Sequence, residues 1–226
     1  MPDSSDDPMM NTRQLRIDVE RFGWPASIFM RLMRRLQMHL GIHVYRVRIR
    51  PLRSDHPSQN LPPEFSLAIV DRDALLRASE DPVLLMTREF VEAALAREDV
   101  VFGAFAGDRL VAYNWRTLTA APHTDGLWVR VKKPYRYGYK GFTHPDYRGQ
   151  RLNMAISFYS DAYFLARGYT NDIGLIDVYN MSSLATAKYK GNEAIGYAGY
   201  LKWFGRCLTY RTSRVKRTGF EFFDPG

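Results

Sequence analysis

The feature that most constrains the fold is the run from residue 100 to residue 115. Val100-Val101-Phe102-Gly103-Ala104-Phe105 and Leu110-Val111-Ala112-Tyr113-Asn114-Trp115 are two strand-like runs joined by Ala106-Gly107-Asp108-Arg109. Apolar and aromatic residues on both sides of a Gly-Asp turn read as an antiparallel hairpin. A chain that carries it must build an antiparallel sheet and cover that sheet with its other segments. Residues 71–79 and 87–97 read as helices, the second with Thr87 as N-cap. Downstream the period switches repeatedly. A strand over 136–143 is followed by a helix over 151–167 that Gly168 stops, its buried stripe drawn from Leu152, Ala155, Ile156, Tyr159, Ala162, Tyr163 and Ala166. A strand over 172–179 and a helix over 180–190 ended by Gly191-Asn192 come next, and 194–211 reads as one or two strands turning near Gly205. That order is α/β in type.

The N-terminal part is patterned too. Over residues 27–40, Ile28, Phe29, Leu32, Met33, Leu36 and Leu40 recur at helical spacing, with Arg31, Arg34 and Arg35 mostly on the other side. Such a helix packs its apolar stripe on a domain, or it docks on a membrane surface or a partner. In 43–50, Tyr45, Val47 and Ile49 alternate with Arg46, Arg48 and Arg50, which reads as a half-buried strand with its arginines outward. Residues 1–25, acidic and polar at the start, read as an irregular tail, and 26–226 as a single domain.

Composition narrows the classes. A chain of 226 residues with 46% hydrophobic content is not a disordered one, and its length suits one compact domain. The net charge of +8 favours anionic partners. One cysteine, Cys207, excludes an internal disulfide and reads as a packing residue, which points to a reducing, cytoplasmic setting. The five histidines lack metal-ligand spacing, and Walker, dinucleotide and nucleic-acid-binding signatures are not apparent. No secretory signal and no uncharged apolar window of membrane-spanning length is present in the sequence.

Two motifs carry chemistry. Phe142-Thr143-His144-Pro145-Asp146-Tyr147-Arg148-Gly149-Gln150-Arg151-Leu152-Asn153 takes a strand through a loop straight into a helix. A helix N-terminus presents unpaired N–H groups at its positive end, which suits a pyrophosphate, and Gly149 allows close approach. Downstream, Asn180-Met181-Ser182-Ser183-Leu184 is followed by Lys188-Tyr189-Lys190-Gly191. Together, in this order after the hairpin, these segments resemble the Gcn5-related N-acetyltransferase (GNAT) superfamily over residues 100–210. Arg148 and Gly149 fit that family's phosphate-loop pattern, while Arg151 stands where a glycine is expected and Asn153 where a small residue is expected.

The resemblance implies a single-domain fold with a mixed, mostly antiparallel central sheet flanked by helices. It implies direct transfer of an acyl group from acyl-CoA (acetyl-CoA or longer) to the primary amine of a small or amino-acid-like acceptor, with no metal. The donor would be held by Phe142, Thr143, Arg148, Gly149, Gln150, Arg151, Leu152, Asn153 and Asn180, with a backbone N–H near Phe142 or Thr143 polarising the thioester. Tyr137 and Tyr139 would line the acceptor site. The family's leaving-group acid, a Tyr seven residues after the Asn, is replaced by Ala187, leaving Ser183 and Tyr189 as alternatives. No carboxylate marks a base on the strand 135–141, His144 is a second-rank candidate, and His123 with Asp125 fall where acceptor specificity would be set. Two other readings stay open: an acyl-carrier-protein-dependent enzyme like the N-acyl amino acid synthases, and a GNAT-fold binding protein without catalysis. Acylation of a protein or aminoacyl-tRNA is a weaker one.

Overall fold

The computed structural model describes residues 12–54, 61–124 and 126–226. The chain runs α1 (Thr12–Phe22), α2 (Trp24–Leu40), β1 (Ile42–Pro51), β2 (Phe65–Ile69), α3 (Arg72–Ala78), α4 (Arg88–Ala96), β3 (Val100–Ala106) and β4 (Arg109–Thr117). It continues through β5 (Ala120–Pro122), β6 (Trp128–Arg130), β7 (Tyr135–Thr143), α5 (Leu152–Leu165), β8 (Asn171–Asp177) and α6 (Met181–Tyr189). β9 (Glu193–Trp203), β10 (Arg206–Arg211), α7 (Ser213–Arg217) and β11 (Glu221–Phe223) complete it. The chain falls into two compact units: residues up to Arg48 with Leu175–Val215, and Ile49–Gly174 with Lys216–Gly226.

In the larger unit the hairpin forms as the sequence requires, β3 and β4 turning at Gly107 with φ +57°. β2 pairs antiparallel with β3, β7 antiparallel with β4, and the start of β8 parallel with β7. Apart from its first residue β4 is buried throughout, because both faces of this sheet are covered. On one face Leu75, Leu84, Val91 and Ala94 from the α3–α4 region meet Val101, Tyr113 and Trp115. On the other, Leu152, Ile156 and Phe164 of α5 meet Phe102, Ala104, Val111 and Ala112. β5, β6 and β11 form a small separate antiparallel sheet.

Two sequence expectations fail here for one reason. Arg50 is 2% exposed rather than outward, and Ser157, Ser160 and Asp161 of α5 are buried where Tyr159 and Ala162 were expected. Asp161 accepts from Arg50 Nη1 at 2.6 Å and Nη2 at 2.9 Å, and from Arg136 Nη2. Arg136, fully buried, also donates to Ser160 Oγ at 2.9 Å and to Asp172 Oδ1 at 3.1 Å. Arg116 Nη1 lies 3.7 Å from the same Asp172 oxygen. Burial becomes acceptable because each ion finds partners, and hydropathy periodicity cannot register such a network.

Three guanidinium groups thus face two carboxylates. Burial pushes Arg116 down to about 10, against the pull of Asp172. Burial alone would raise Asp172, but Arg116, Arg136 and Arg50 outweigh it and hold its carboxyl below the usual range. A carboxyl that titrates lower in the folded state stabilises the fold above the unfolded value of roughly 3.9, and that contribution is lost as pH falls through the folded value. Urea melts as a function of pH should show stability falling through this acid window, with a shallower fall in Asp172→Asn.

In the smaller unit, His43 stacks on Tyr200 with ring centroids 4.3 Å apart, and Met30 of α2, Val47 of β1, and Ile195 and Ala198 of β9 are buried. β9 and β10 form a hairpin with Trp203 opposite Arg206. Arg48, also expected outward, is 6% exposed and donates to Asn192 O. Residues 12–22, expected to be irregular, are helical, and α2 ends at Gly41 with φ +60° as expected. The first eleven residues and Asp125 lie outside the described residues.

Candidate functional site

The strand–loop–helix motif lies wholly in the larger unit. β7 pairs with β8 only over Tyr135↔Asn171 to Tyr137↔Ile173, while its pairing with β4 runs on to Thr143↔Ala112. The β4 register jumps from Lys140 at Trp115 to Gly138 at Arg116, so Tyr139 is an extra, bulged residue. A Cβ on Gly138 would sit 1.7 Å from Arg116 Nη1, so a larger residue there has to displace that buried guanidinium.

In an antiparallel ladder successive N–H groups point alternately to and away from the partner. His144 N donates to Val111 O at 2.8 Å, which fixes the phase. Phe142 N–H therefore points to β4, and the N–H groups of Gly141 and Thr143 point away from it. Of the two residues that the sequence left open, Thr143 is the one with an outward donor. Phe142 instead stacks on Tyr113 at 5.9 Å.

After β7, His144 caps a short 3₁₀ turn over Pro145–Tyr147, its Nδ1 accepting from Asp146 N, and it lies 3.1 Å from Arg109 Nη2 through Nε2. It is a buried structural residue at 5% exposure. Arg148, Gly149 and Arg151 are exposed, and space around a Cβ on Gly149 is open to 4 Å. α5 starts without a side-chain cap and without an acidic residue in its first turn, so its positive end is uncompensated by its own sequence.

Arg151, which departs from the family pattern, adopts φ +58°, the left-handed conformation that glycine suits. The backbone shape is kept although the glycine is not. Arg151→Gly should therefore leave melting temperature unchanged or higher, by up to about 1 kcal/mol of stability. Leu152, at 1% exposure, and Asn153 serve packing: Leu152 enters the α5 core, and Asn153 Oδ1 accepts from Asn114 Nδ2 at 2.8 Å. The Leu152 side chain thus serves the core.

The two tyrosines expected at the acceptor site differ. Tyr137 is 4% exposed and packs edge-on against Phe220, a core residue rather than a lining one. Tyr139 is half-buried and donates its hydroxyl to Asp99 Oδ2 at 2.9 Å. Asp99 also accepts from Arg97 at 2.9 Å and 3.1 Å. Burial lifts its carboxyl above the usual range despite these partners. Sequence reasoning missed Asp99 because it searched the strand 135–141 itself, and this carboxylate comes from the residue before β3, thirty-six positions before the start of β7.

The second motif lies in the smaller unit. Asn180 caps α6, its Oδ1 accepting from Ser183 N and Ser182 Oγ at 3.1 Å each. Ser183 is half-buried, Tyr189 is 72% exposed at the last residue of α6, and Ala187 is buried. Gly191 ends the helix with φ +76°.

No protein-family model matches the sequence, and no curated protein matches it significantly. Solved structures do resemble it. A GCN5-related N-acetyltransferase from Sphaerobacter thermophilus superposes with a TM-score of 0.50 at 10% identity, over 75% of this chain and 54% of that one. A tandem GNAT protein from the clavulanic acid biosynthesis pathway gives 0.48 at 15% identity, over 76% and 55%. An aminoglycoside acetyltransferase from an uncultured soil metagenomic sample, in complex with trehalose, gives 0.45 at 12% identity, over 58% and 90%. The first of these likenesses identifies the architecture as that of the GNAT fold, and at such identity it speaks for the fold alone.

Proposed function

We propose, on the premise of this GNAT fold, that the chain is an N-acyltransferase that moves an acyl group from acyl-CoA to a primary amine. The observation that carries the reading is the loop 143–152: an outward N–H at Thr143, two exposed arginines, an open glycine, and an uncapped helix start whose left-handed N-cap keeps glycine geometry at Arg151. Those features fit a pyrophosphate held by backbone N–H groups and flanked by Arg148 and Arg151.

The chemistry then follows. The neutral amine nitrogen attacks the thioester carbonyl carbon, and the carbonyl oxygen takes the electron pair as an oxyanion facing Thr143 N–H. Collapse expels the thiolate, which, with a thiol pKa of about 8.5, leaves with little assistance. The amine proton passes to Tyr139 Oη as that hydroxyl gives its own proton to Asp99, whose raised affinity for a proton suits the task. Asp99→Asn should lower kcat about 100-fold and flatten the acid limb of the pH–rate profile, with little change in donor binding.

A titration of melting temperature with CoA, acetyl-CoA and a long-chain acyl-CoA tests donor binding. A dose-dependent rise that disappears in both Arg148→Ala and Gly149→Glu supports the reading. A rise with acyl-carrier protein alone would favour the carrier-protein donor, to which the excess positive charge also lends itself. The absence of any rise would count against both donors.

A further inference from the structure

Helix α2 is turned the wrong way for a globular protein. Its inward residues are Ser27, 0% exposed with Oγ bonded to Gly23 O, and Met30, while Arg34 lies over the Tyr179 ring. Most of the apolar stripe that the sequence marks for burial faces solvent instead: Ile28 is 60% exposed, Leu32 51% and Leu40 55%, with Trp24 at 60%, while Met33 and Leu36 are half-buried. The smaller unit holds 13 of the 17 large hydrophobic residues exposed among the described residues, although it is the minor part of the chain. Scattered exposed apolar residues need no explanation, but a concentration of this kind does.

A second element extends it. The β9–β10 hairpin closes on Phe204-Gly205, with φ +45° and +74° between the paired Trp203 and Arg206. Positive φ at both central positions is the turn geometry that Asn-Gly suits best, and phenylalanine is an unfavourable residue for the first of them. Phe204 is 90% exposed and Trp203 59%, so burial gives the fold nothing in return. This tip adjoins the end of α2, since Lys202 N donates to Gly41 O at 3.0 Å.

The charge selects the occupant. No carboxylate falls between Arg21 and Arg48 or between Ala194 and Val215, and the exposed charges in these stretches, Arg21, Arg35, Lys202 and Arg206 together with Arg214 beside Glu193, are all basic. A second copy of so basic a face would be repelled. An acidic protein would satisfy the charge but does not call for exposed Trp24 and Trp203, whose rings suit the headgroup boundary of a bilayer. No described helix is long and apolar enough to cross a membrane. A 17-residue amphipathic helix with basic residues suits lying in the interface.

We propose that α2 and the β9–β10 tip form a docking surface for anionic lipid bilayers, with Trp24, Ile28, Leu32, Trp203 and Phe204 entering the headgroup region and the exposed Arg35 and Arg206 facing lipid phosphates. This surface stands independently of the acyl-transfer reading.

The test is co-sedimentation of the full chain with phosphatidylcholine vesicles, with and without phosphatidylglycerol, at low and high salt, followed also by tryptophan emission. Binding to the anionic vesicles should be tighter by about tenfold or more, weaken with salt, and shift the emission to the blue. Phe204→Asn should weaken binding about tenfold, the loss of one buried aromatic ring, while melting temperature holds or rises because the turn is relieved. Arg35→Gln with Arg206→Gln should remove most of the preference for anionic lipid. Equal binding to both vesicles, or binding indifferent to Phe204→Asn, would overturn the proposal. So would a dimer in sedimentation velocity that the same variants dissociate, or capture by an acidic carrier protein with no vesicle binding.

Discussion

Asp161→Ala should lower unfolding free energy by about 3–5 kcal/mol, the largest stability loss expected from any single substitution in the larger unit. Asp161 is fully buried and holds Arg50 through both guanidinium nitrogens and Arg136 through a third contact, besides accepting from Arg53 N at 3.2 Å. Its removal leaves Arg50, Arg116 and Arg136 facing Asp172 alone. Three buried cations against one carboxylate have no relief other than water entry or local unfolding. In a chain of this size that corresponds to a melting temperature lower by roughly 10 °C. Urea unfolding measures it directly, and a loss under about 1 kcal/mol would mean that the cluster is hydrated and its ions weakly coupled.

Thr143→Pro should reduce kcat by about 10²–10³-fold with donor affinity nearly unchanged. Proline removes one N–H and little else at this position, because the ladder phase set by His144 N to Val111 O points Thr143 N–H away from β4. Phe142→Pro is the contrasting variant. It deletes an N–H that points to β4, so its main effect should be on melting temperature. Equal kinetic effects from the two substitutions would contradict the assignment of Thr143 as the oxyanion donor.

The hairpin, the strand–loop–helix motif and the α6 cap were legible because each depends on local chemistry. Gly107-Asp108 makes its turn, Asn180 reaches only to Ser183, and Gly149 and Gly191 sit where positive φ is required. What the sequence could not display depends on partners distant along the chain. Arg50 read as an outward residue because its carboxylate, Asp161, is 111 positions away. Tyr137 and Tyr139 looked equivalent by alternation until Phe220 buried one and Asp99 engaged the other. The apolar stripe of α2 was read correctly as a stripe. Hydropathy alone could not say that Ser27 and Met30 would face inward and Ile28 and Leu32 outward.

Amine-dependent release of free CoA thiol from acyl-CoA decides whether the chain transfers acyl groups from a donor held at the 143–152 loop. With a panel of small amines and amino acids, thiol release should require both substrates, yield one N-acyl product per thiol, and fall at least about tenfold in Gly149→Glu, where a carboxylate would oppose the phosphates. Thiol release that is absent with every amine, or that proceeds unchanged in Gly149→Glu, would contradict acyl transfer from this loop.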